Sequence, residues 1–140
     1  MSIEISGVGD GESTTGIVRG WKRPQLVPMS EVLNRNQWSQ IRTAVYVVCT
    51  AEAEVLYVGS VRRSQAALAP RMRKHFSEDP GRGSTWTHLA VVILPDALGL
   101  QAVRRCEGRA GRALDPLDNQ QLPAVPERGP WIPRQRQAQL

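Results

Sequence analysis

The sequence predicts an α/β (α+β) domain built on a small three-stranded antiparallel sheet with helices beside it. Two runs of β-branched and aromatic residues, at 44–49 and 54–58, lie so close together that only a hairpin can join them. A third apolar run at 88–94 stops at Pro95, which predicts a central strand buried on both faces. Helical periodicity and capping residues predict helices near 30–37, 65–77 and 98–114.

Composition divides the 140 residues into four segments. Residues 1–20 are rich in Gly, Ser and Thr and predict a flexible arm, and residues 21–43 form an extension with a short helix capped by Ser30. The predicted globular domain covers 44–122. Residues 123–140 are rich in Pro, Gln and Arg and predict an extended or disordered tail, which either adds phosphate attraction or packs on the domain.

The net charge of +5 and the pI of about 10.0 favour binding to a polyanion, although an ordinary basic surface has the same values. Trp21 and Lys22 either stack on a base and contact a phosphate or cover the edge of the core. Arg82 stands between two glycines, where it is free to meet a phosphate or does nothing specific. The residues predicted to contact nucleic acid are Lys22, Arg62, Arg63, Arg73, Lys74 and Arg82.

The two cysteines, Cys49 and Cys106, lack the spacing of metal ligands and are expected to be reduced core residues. No apolar run approaches the roughly 18 residues that a membrane span needs. The N-terminus also lacks the charged and then apolar pattern of a signal peptide. We therefore expect a soluble cytoplasmic protein, with delivery into another cell as an open alternative.

The hairpin register decides what the two tyrosines, Tyr46 and Tyr57, can do. A two-residue turn at Ala51-Glu52, or a four-residue loop from Thr50 to Ala53, places them directly opposite each other on one face. A loop with an odd number of residues would break that arrangement, and no Asn-Gly or Asp-Gly pair fixes the turn type. Gly59 ends the second strand, where a missing Cβ allows a sharp exit or a close approach to a ligand.

Arg71 and His75 are four residues apart in the predicted helix that follows, so a guanidinium and an imidazole share one helix face. Ser64 is predicted to cap this helix, and Pro70 predicts a kink or a new first turn. If that irregularity turns Arg71 away, Arg73 is its substitute.

The predicted helix near 98–114 carries an acidic residue that needs an explanation. Its inward stripe is formed by Leu100, Val103, Cys106, Ala110 and Leu114, and its outward stripe by Arg105, Arg109 and Arg112. Glu107 lies on or beside the inward stripe, where a carboxylate costs free energy unless it is paired or binds a cation. A salt bridge to an arginine and a bound metal ion are the two explanations.

Taken together, these residues resemble the GIY-YIG nuclease family. The two strand motifs that name the family are written here as Ala44-Val45-Tyr46 and Tyr57-Val58-Gly59, and Arg71-x-x-x-His75 follows them. Glu107 stands on the helix after the third predicted strand, and Asn119 comes after it at a spacing familiar in the family. The resemblance covers the predicted globular domain and leaves both ends of the chain unexplained.

The resemblance implies a metal-dependent endonuclease that hydrolyses nucleic-acid phosphodiester bonds, with DNA expected before RNA and with Mg²⁺ or Mn²⁺ as cofactor. Glu107 would hold the ion, and Arg71 would clamp a phosphate oxygen. Tyr46 would act as the base or orient the attacking water, His75 would take or relay its proton, and Tyr57 would position the phosphate or the water. The implied catalytic residues are Tyr46, Tyr57, Arg71, His75 and Glu107, with Gly59 and Asn119 in support. A homodimer or an accessory protein would supply specificity.

Other functions stay open beside this one. A domain of the same fold could bind nucleic acid without cutting it. An unrelated small α/β interaction protein, such as a phage or secretion-system component, could hold both tyrosines in its core. Within the nuclease class, a toxin or an effector against invading DNA is a further alternative.

Overall fold

The computed structural model of the protein describes residues 24–62 and 67–134. Its strands are β1 (Val27–Pro28), β2 (Ala44–Cys49), β3 (Val55–Val61) and β4 (His88–Ile93). Its α-helices are α1 (Met29–Asn34), α2 (Leu68–Glu78) and α3 (Leu100–Leu114), with short 3₁₀ helices at Asn36–Gln40 and Pro80–Ser84. The predicted arm at 1–20, Trp21, Lys22, Arg63 and the cap at Ser64 lie outside the described residues.

The structure confirms the predicted α+β class, but the described residues form four antiparallel strands instead of three, in the order β1-β4-β2-β3. The extra strand comes from the N-terminal extension, where Val27 pairs with Leu89 and Pro28 with His88. It is β2, rather than β4, that is buried along its whole length, since Ile93 of β4 is exposed. Strand β4, the predicted central strand, is therefore an inner strand. Its outer neighbour, β1, has only two residues.

The sheet lies between two layers of helices, and each of its faces has its own apolar core. Helix α3 packs on one face, where Val103 and Cys106 meet Val47 of the sheet. Helices α1 and α2 pack on the other face, in a core that contains Met29, Val32, Tyr46, Val48, Leu68, Met72, Trp86 and Leu89. Tyr46 and Glu107 therefore start from opposite sides of the sheet.

The starts of α1 and α2 differ from the predictions. Helix α1 begins at Met29, with Pro28 rather than Ser30 at the capping position, so the predicted N-cap is wrong. Helix α2 begins at Leu68 and holds Pro70 in its first turn. Because the first four N–H groups of a helix have no partner within it, a proline there breaks no hydrogen bond. Of the two predicted outcomes at this proline, the structure has the new first turn.

The C-terminal segment at 123–134 packs along α3 and covers part of its polar face. Arg109, predicted to point outward, is 7% exposed and forms an ion pair with Glu127. A Cβ at Gly108 would lie 2.7 Å from the Pro123 carbonyl oxygen, so glycine allows the two segments to approach. The outward direction predicted for Arg109 is therefore wrong, and the described part of the tail, 123–134, packs on the domain. Helical periodicity identifies a polar face but not what covers it.

The inward stripe of α3 is confirmed at Val103, Cys106 and Ala110, which are buried, whereas Leu100 at the helix start is exposed. Cys49 and Cys106 are free, buried thiols, as predicted. Across 24–62 and 67–134, no helix has the length and apolar character that crossing a membrane requires.

Candidate active site

The two tyrosines share one face of the sheet, but the prediction that they stand directly opposite each other is wrong. The hairpin pairs Tyr46 with Gly59 and Tyr57 with Val48, which makes the tyrosines diagonal neighbours. Their ring centroids are 6.2 Å apart and their planes differ by 23°, a stacked arrangement. A diagonal pair of long side chains on one face is still within reach of a common ligand.

Two irregularities in the hairpin account for this register. In the turn, Ala53 has a positive φ of 66° and donates its N–H to the Thr50 carbonyl at 3.0 Å, which adds one residue to the loop. A bulge between Val48 and Cys49 shifts the pairing by one more residue. Either shift alone would move Tyr57 to the opposite face, whereas the two together preserve the shared face.

His75 of α2 lies against both tyrosines. Its Nε2 is 2.9 Å from the Tyr46 hydroxyl, and its ring centroid is 5.1 Å from that of Tyr57. Trp86 completes the cluster, with its ring centroid 5.1 Å from Tyr57 and 5.3 Å from His75. The structure thus brings three of the predicted catalytic side chains into direct contact.

Tyr46 reaches the edge of the sheet because Gly59 has no side chain. A Cβ at position 59 would lie 2.4 Å from the Tyr46 hydroxyl oxygen, so any other residue there would displace the phenol. Tyr46 starts from β2, and Gly59 belongs to β3, the edge strand. The phenol of a buried residue therefore ends over the outermost strand, next to His75.

Glu107 approaches the same edge from α3, on the other face of the sheet. Its Oε1 accepts a 2.5 Å hydrogen bond from Ser60 Oγ of β3. Burial is the largest cause of the raised pKa of Tyr46 and Tyr57, and the negative charge of Glu107 raises both further, so the carboxylate acts on the phenols around the edge of β3. No described residue forms an ion pair with Glu107 within 4.0 Å. Burial, the largest cause, raises the pKa of Glu107, and the charges of Arg104 and Arg71 do act on it in the opposite direction.

Arg71, rather than Arg73, is the arginine of α2 that acts on the site. Its positive charge opposes the burial that raises the pKa of Tyr46 and Tyr57. The Arg73 guanidinium instead donates a hydrogen bond to the Leu33 carbonyl of α1. The substitute role of Arg73 is therefore not needed.

Burial sets the protonation states of the site. It is the largest cause of the raised pKa of the Tyr46 phenol, which lies well above its usual value of 10.0 despite the opposing charges of Arg71 and Arg82. Burial is also the largest cause of the lowered pKa of His75, which falls from 6.5 to about 4, with Arg82 and Arg71 as the next causes. Both rings are therefore neutral near pH 7, and Arg71 alone does not bring the phenol into the neutral range.

The neutral imidazole makes stability depend on pH. The folded protein protonates His75 only near pH 4, whereas the unfolded chain does so near 6.5, so acid favours the unfolded state. We expect the free energy of unfolding to fall as the pH drops from about 6.5 to about 4, and to fall less in His75→Gln. Urea unfolding at a series of pH values measures this, with His88→Gln as the control. Equal slopes in all three proteins would contradict it.

Asn119 closes the edge of β3 beside the phenols. Its side-chain amide accepts a 2.9 Å hydrogen bond from the Val58 N–H and donates a 3.0 Å one to the Val58 carbonyl, as a neighbouring strand would. These hydrogen bonds hold the strand one position before Gly59.

Replacing Asn119 by alanine should destabilise the domain. Asn119 is 2% exposed, and its loss removes both of these partners of Val58. A buried polar group without a partner costs about 1–3 kcal/mol, so for these two groups we expect a loss of about 2–6 kcal/mol in urea unfolding. Asn34→Ala is the matched control, because Asn34 also bonds a backbone carbonyl, at 2.8 Å from Ser30, but is exposed. A loss no larger than that of the control would contradict the prediction.

Within the described residues, the cations predicted to contact nucleic acid have partners in the domain. Arg62 donates from Nε to the Leu98 carbonyl at 3.1 Å. Lys74 forms an exposed ion pair with Glu78 at 3.9 Å. Arg82 is held by contacts within the domain and does not stand free between its glycines.

A metal ion at this site would depend on Glu107. No group of three or more His, Cys, Asp or Glu side chains in the described part of the chain could hold one. Mg²⁺, however, commonly binds through one or two carboxylates and keeps several waters. The half-buried Glu107 carboxylate accepts a hydrogen bond from Ser60 and retains further lone pairs, so the residues present fit Mg²⁺.

Three residues of the site are not predicted from the sequence. The sequence could have indicated Ser60, because successive side chains of a strand alternate between its two faces. Ser60 therefore points to the face opposite that of Gly59, toward the helix that carries Glu107. Trp86 and Asp118 are joined by a 3.0 Å hydrogen bond from Trp86 Nε1, but they are far apart in the sequence and no local pattern marks them.

No protein-family profile, curated protein or solved structure matches this chain. The resemblance to the GIY-YIG family therefore stays a prediction from the sequence motifs.

Proposed function

We propose that the protein is a cytoplasmic, metal-dependent endonuclease of the GIY-YIG type that hydrolyses phosphodiester bonds in DNA. The observation that carries the proposal is the convergence at the edge of β3, where Tyr46 bonds His75 and the charges of Arg71 and Glu107 act on the phenol. A phenol, an imidazole, a guanidinium and a carboxylate come together here from separate elements. Placing such groups beside a core costs free energy, which favours a shared functional role.

Each residue has a role that its position supports. The permanently charged fork of Arg71 suits a phosphate oxygen, and Tyr57 orients the phosphate or the attacking water. Tyr46 takes a proton from that water, and His75 holds the phenol in place. Glu107 would hold Mg²⁺ or Mn²⁺, which supplies Lewis-acid stabilisation of charge on the phosphate and the leaving oxygen. A second copy of the chain or an accessory protein would supply sequence specificity.

One observation favours a second candidate, a domain of this fold that binds nucleic acid without cutting it. Tyr46 is 1% exposed, so its hydroxyl has little access to solvent. Tyr57 and His75, in contrast, line an open groove together with Asn119, which gives a substrate a route to the site.

Cleavage assays separate the two candidates. The purified protein is incubated with plasmid DNA, single-stranded DNA and RNA, each with Mg²⁺ and with EDTA. We expect Mg²⁺-dependent conversion of plasmid to nicked or linear DNA. Intact nucleic acid in every reaction with Mg²⁺ or Mn²⁺ would contradict the nuclease proposal, and a gel shift without cleavage would favour the binding domain.

A further inference from the structure

Arg82 is held in place by several contacts of its head group. Its Nη1 donates a 3.0 Å hydrogen bond to the His75 carbonyl, and its Nε lies 3.7 Å from the Asp79 carboxylate. The guanidinium carbon is 4.5 Å from the centroid of the Trp86 ring, a cation–π contact. Although it comes from a loop-like 3₁₀ segment, the Arg82 side chain is only 27% exposed.

The same Nη1 lies 3.4 Å from Nδ1 of the His75 ring. A guanidinium carries only donors and keeps its proton, so a hydrogen bond between these nitrogens requires Nδ1 to be unprotonated. A proton on Nδ1 would instead face the positive head group of Arg82. The neutral imidazole then carries its single proton on Nε2, which is 2.9 Å from the Tyr46 hydroxyl oxygen.

We propose that Arg82 is a positioning residue that fixes the tautomer of His75, so that His75 donates a hydrogen bond from Nε2 to the Tyr46 oxygen. The consequence for catalysis rests on the proposed function. His75 does not accept the Tyr46 proton in this arrangement; it stabilises negative charge on the phenol oxygen. Tyr46 is thereby identified as the base, and the relay role expected for His75 is replaced.

The proton balance of the step follows from this assignment. The Tyr46 proton leaves to water in the open groove that Tyr57 and His75 line, and the phenolate then takes a proton from the attacking water. The water oxygen forms its bond to phosphorus as the bond to the leaving oxygen breaks, and solvent protonates the leaving oxygen. Throughout, His75 keeps its Nε2 proton, because Arg82 occupies the other ring nitrogen.

Histidine NMR measures the tautomer directly, without metal or nucleic acid. Long-range ¹H–¹⁵N correlation spectra of protein with ¹⁵N-labelled histidine distinguish the two neutral forms. The chain has two histidines, so His88→Gln assigns the signals. We expect His75 to show the Nε2–H pattern in the wild type at neutral pH. An Nδ1–H pattern would overturn the proposal, and this spectrum decides the point even if a variant fails to fold.

Three variants test whether Arg82 is the cause. Arg82→Met keeps a long side chain but removes the charge and the donors, so the Nδ1–H form should appear. Arg82→Lys keeps the charge and should retain the Nε2–H pattern. Lys74→Met removes a charge one residue from His75 on an exposed side chain and should leave the His75 tautomer pattern unchanged. An unchanged pattern in Arg82→Met, or an equal change in Lys74→Met, would overturn the role of Arg82. Absence of cleavage would leave the tautomer result standing.

Discussion

Glu107→Gln is expected to lower the rate of Mg²⁺-dependent DNA cleavage by more than about 100-fold. Changes to the outer partners of a metal site cost about 10–100-fold, and this substitution replaces the carboxylate itself. The amide oxygen of glutamine still accepts a hydrogen bond from Ser60 Oγ, so the contact between α3 and β3 remains. Single-turnover cleavage of plasmid DNA at saturating protein measures the loss.

The same variant should keep its stability. Burial is the main cause of the raised pKa of Glu107, which means that the charged carboxylate is held there at a cost in free energy. Because glutamine carries no charge, we expect an unchanged or higher Tm. Glu52→Gln, in the exposed hairpin turn, is the control and should alter neither rate nor Tm. Cleavage by Glu107→Gln at the wild-type rate would show that Glu107 takes no part in the reaction.

Tyr46→Phe should lower the cleavage rate by about 10²–10⁴-fold, the usual contribution of a general base. The substitution removes only the hydroxyl, which lies 2.9 Å from His75 Nε2, and keeps the ring that packs in the core. Tyr57→Phe is the matched comparison and should lose less, because the Tyr57 ring contacts His75 edge to face. Equal losses in the two variants under single-turnover conditions would contradict the assignment of Tyr46 as the base.

The pH dependence of the reaction should carry the same signature. Burial, the largest cause, keeps the Tyr46 pKa well above 10.0, so the phenolate fraction rises about tenfold for each pH unit below that value. We expect the logarithm of kcat to rise with a slope near one between about pH 6 and 8. His75, with a pKa of about 4, adds no step in that range. A flat profile would exclude Tyr46 as the group that must lose a proton.

The elements that carry the site follow from local rules. Strand β2 is found at the predicted residues Ala44–Cys49, and α2 carries Arg71 and His75, whose charge and ring both act on the phenols. The bounds of β2 and the shared helix face of Arg71 and His75 depend on residues only a few positions apart, so a sequence pattern can predict them. Strand β3 runs on to Val61, beyond its predicted end, and Ser60 lies in that added part.

Contacts that depend on distant residues could not be predicted in this way. The bulge in the hairpin is local, but the sequence does not determine it either, since a two-residue turn would also have satisfied the apolar pattern of both strands. Arg109 does depend on distant residues, because Glu127 and the C-terminal segment cover a helix face that looks polar in sequence. The contacts of Arg82 with His75 and Trp86 depend on how a short 3₁₀ helix returns to the sheet.

The sequence by itself determined which side chains share a face of one element, and it therefore identified Tyr46, Tyr57, Arg71, His75 and Glu107 as candidates. Only the tertiary structure decided that the Tyr46 phenol passes over Gly59 to the edge of β3 and that Glu107 acts on both phenols from the other side of the sheet. The physical reason is that the periods of strand and helix arise from the backbone of one segment. The covering of a helix face by another segment and the convergence of side chains on one site arise from packing between segments that are far apart in the chain. The pairing register of the strands is likewise set by how two segments fit together.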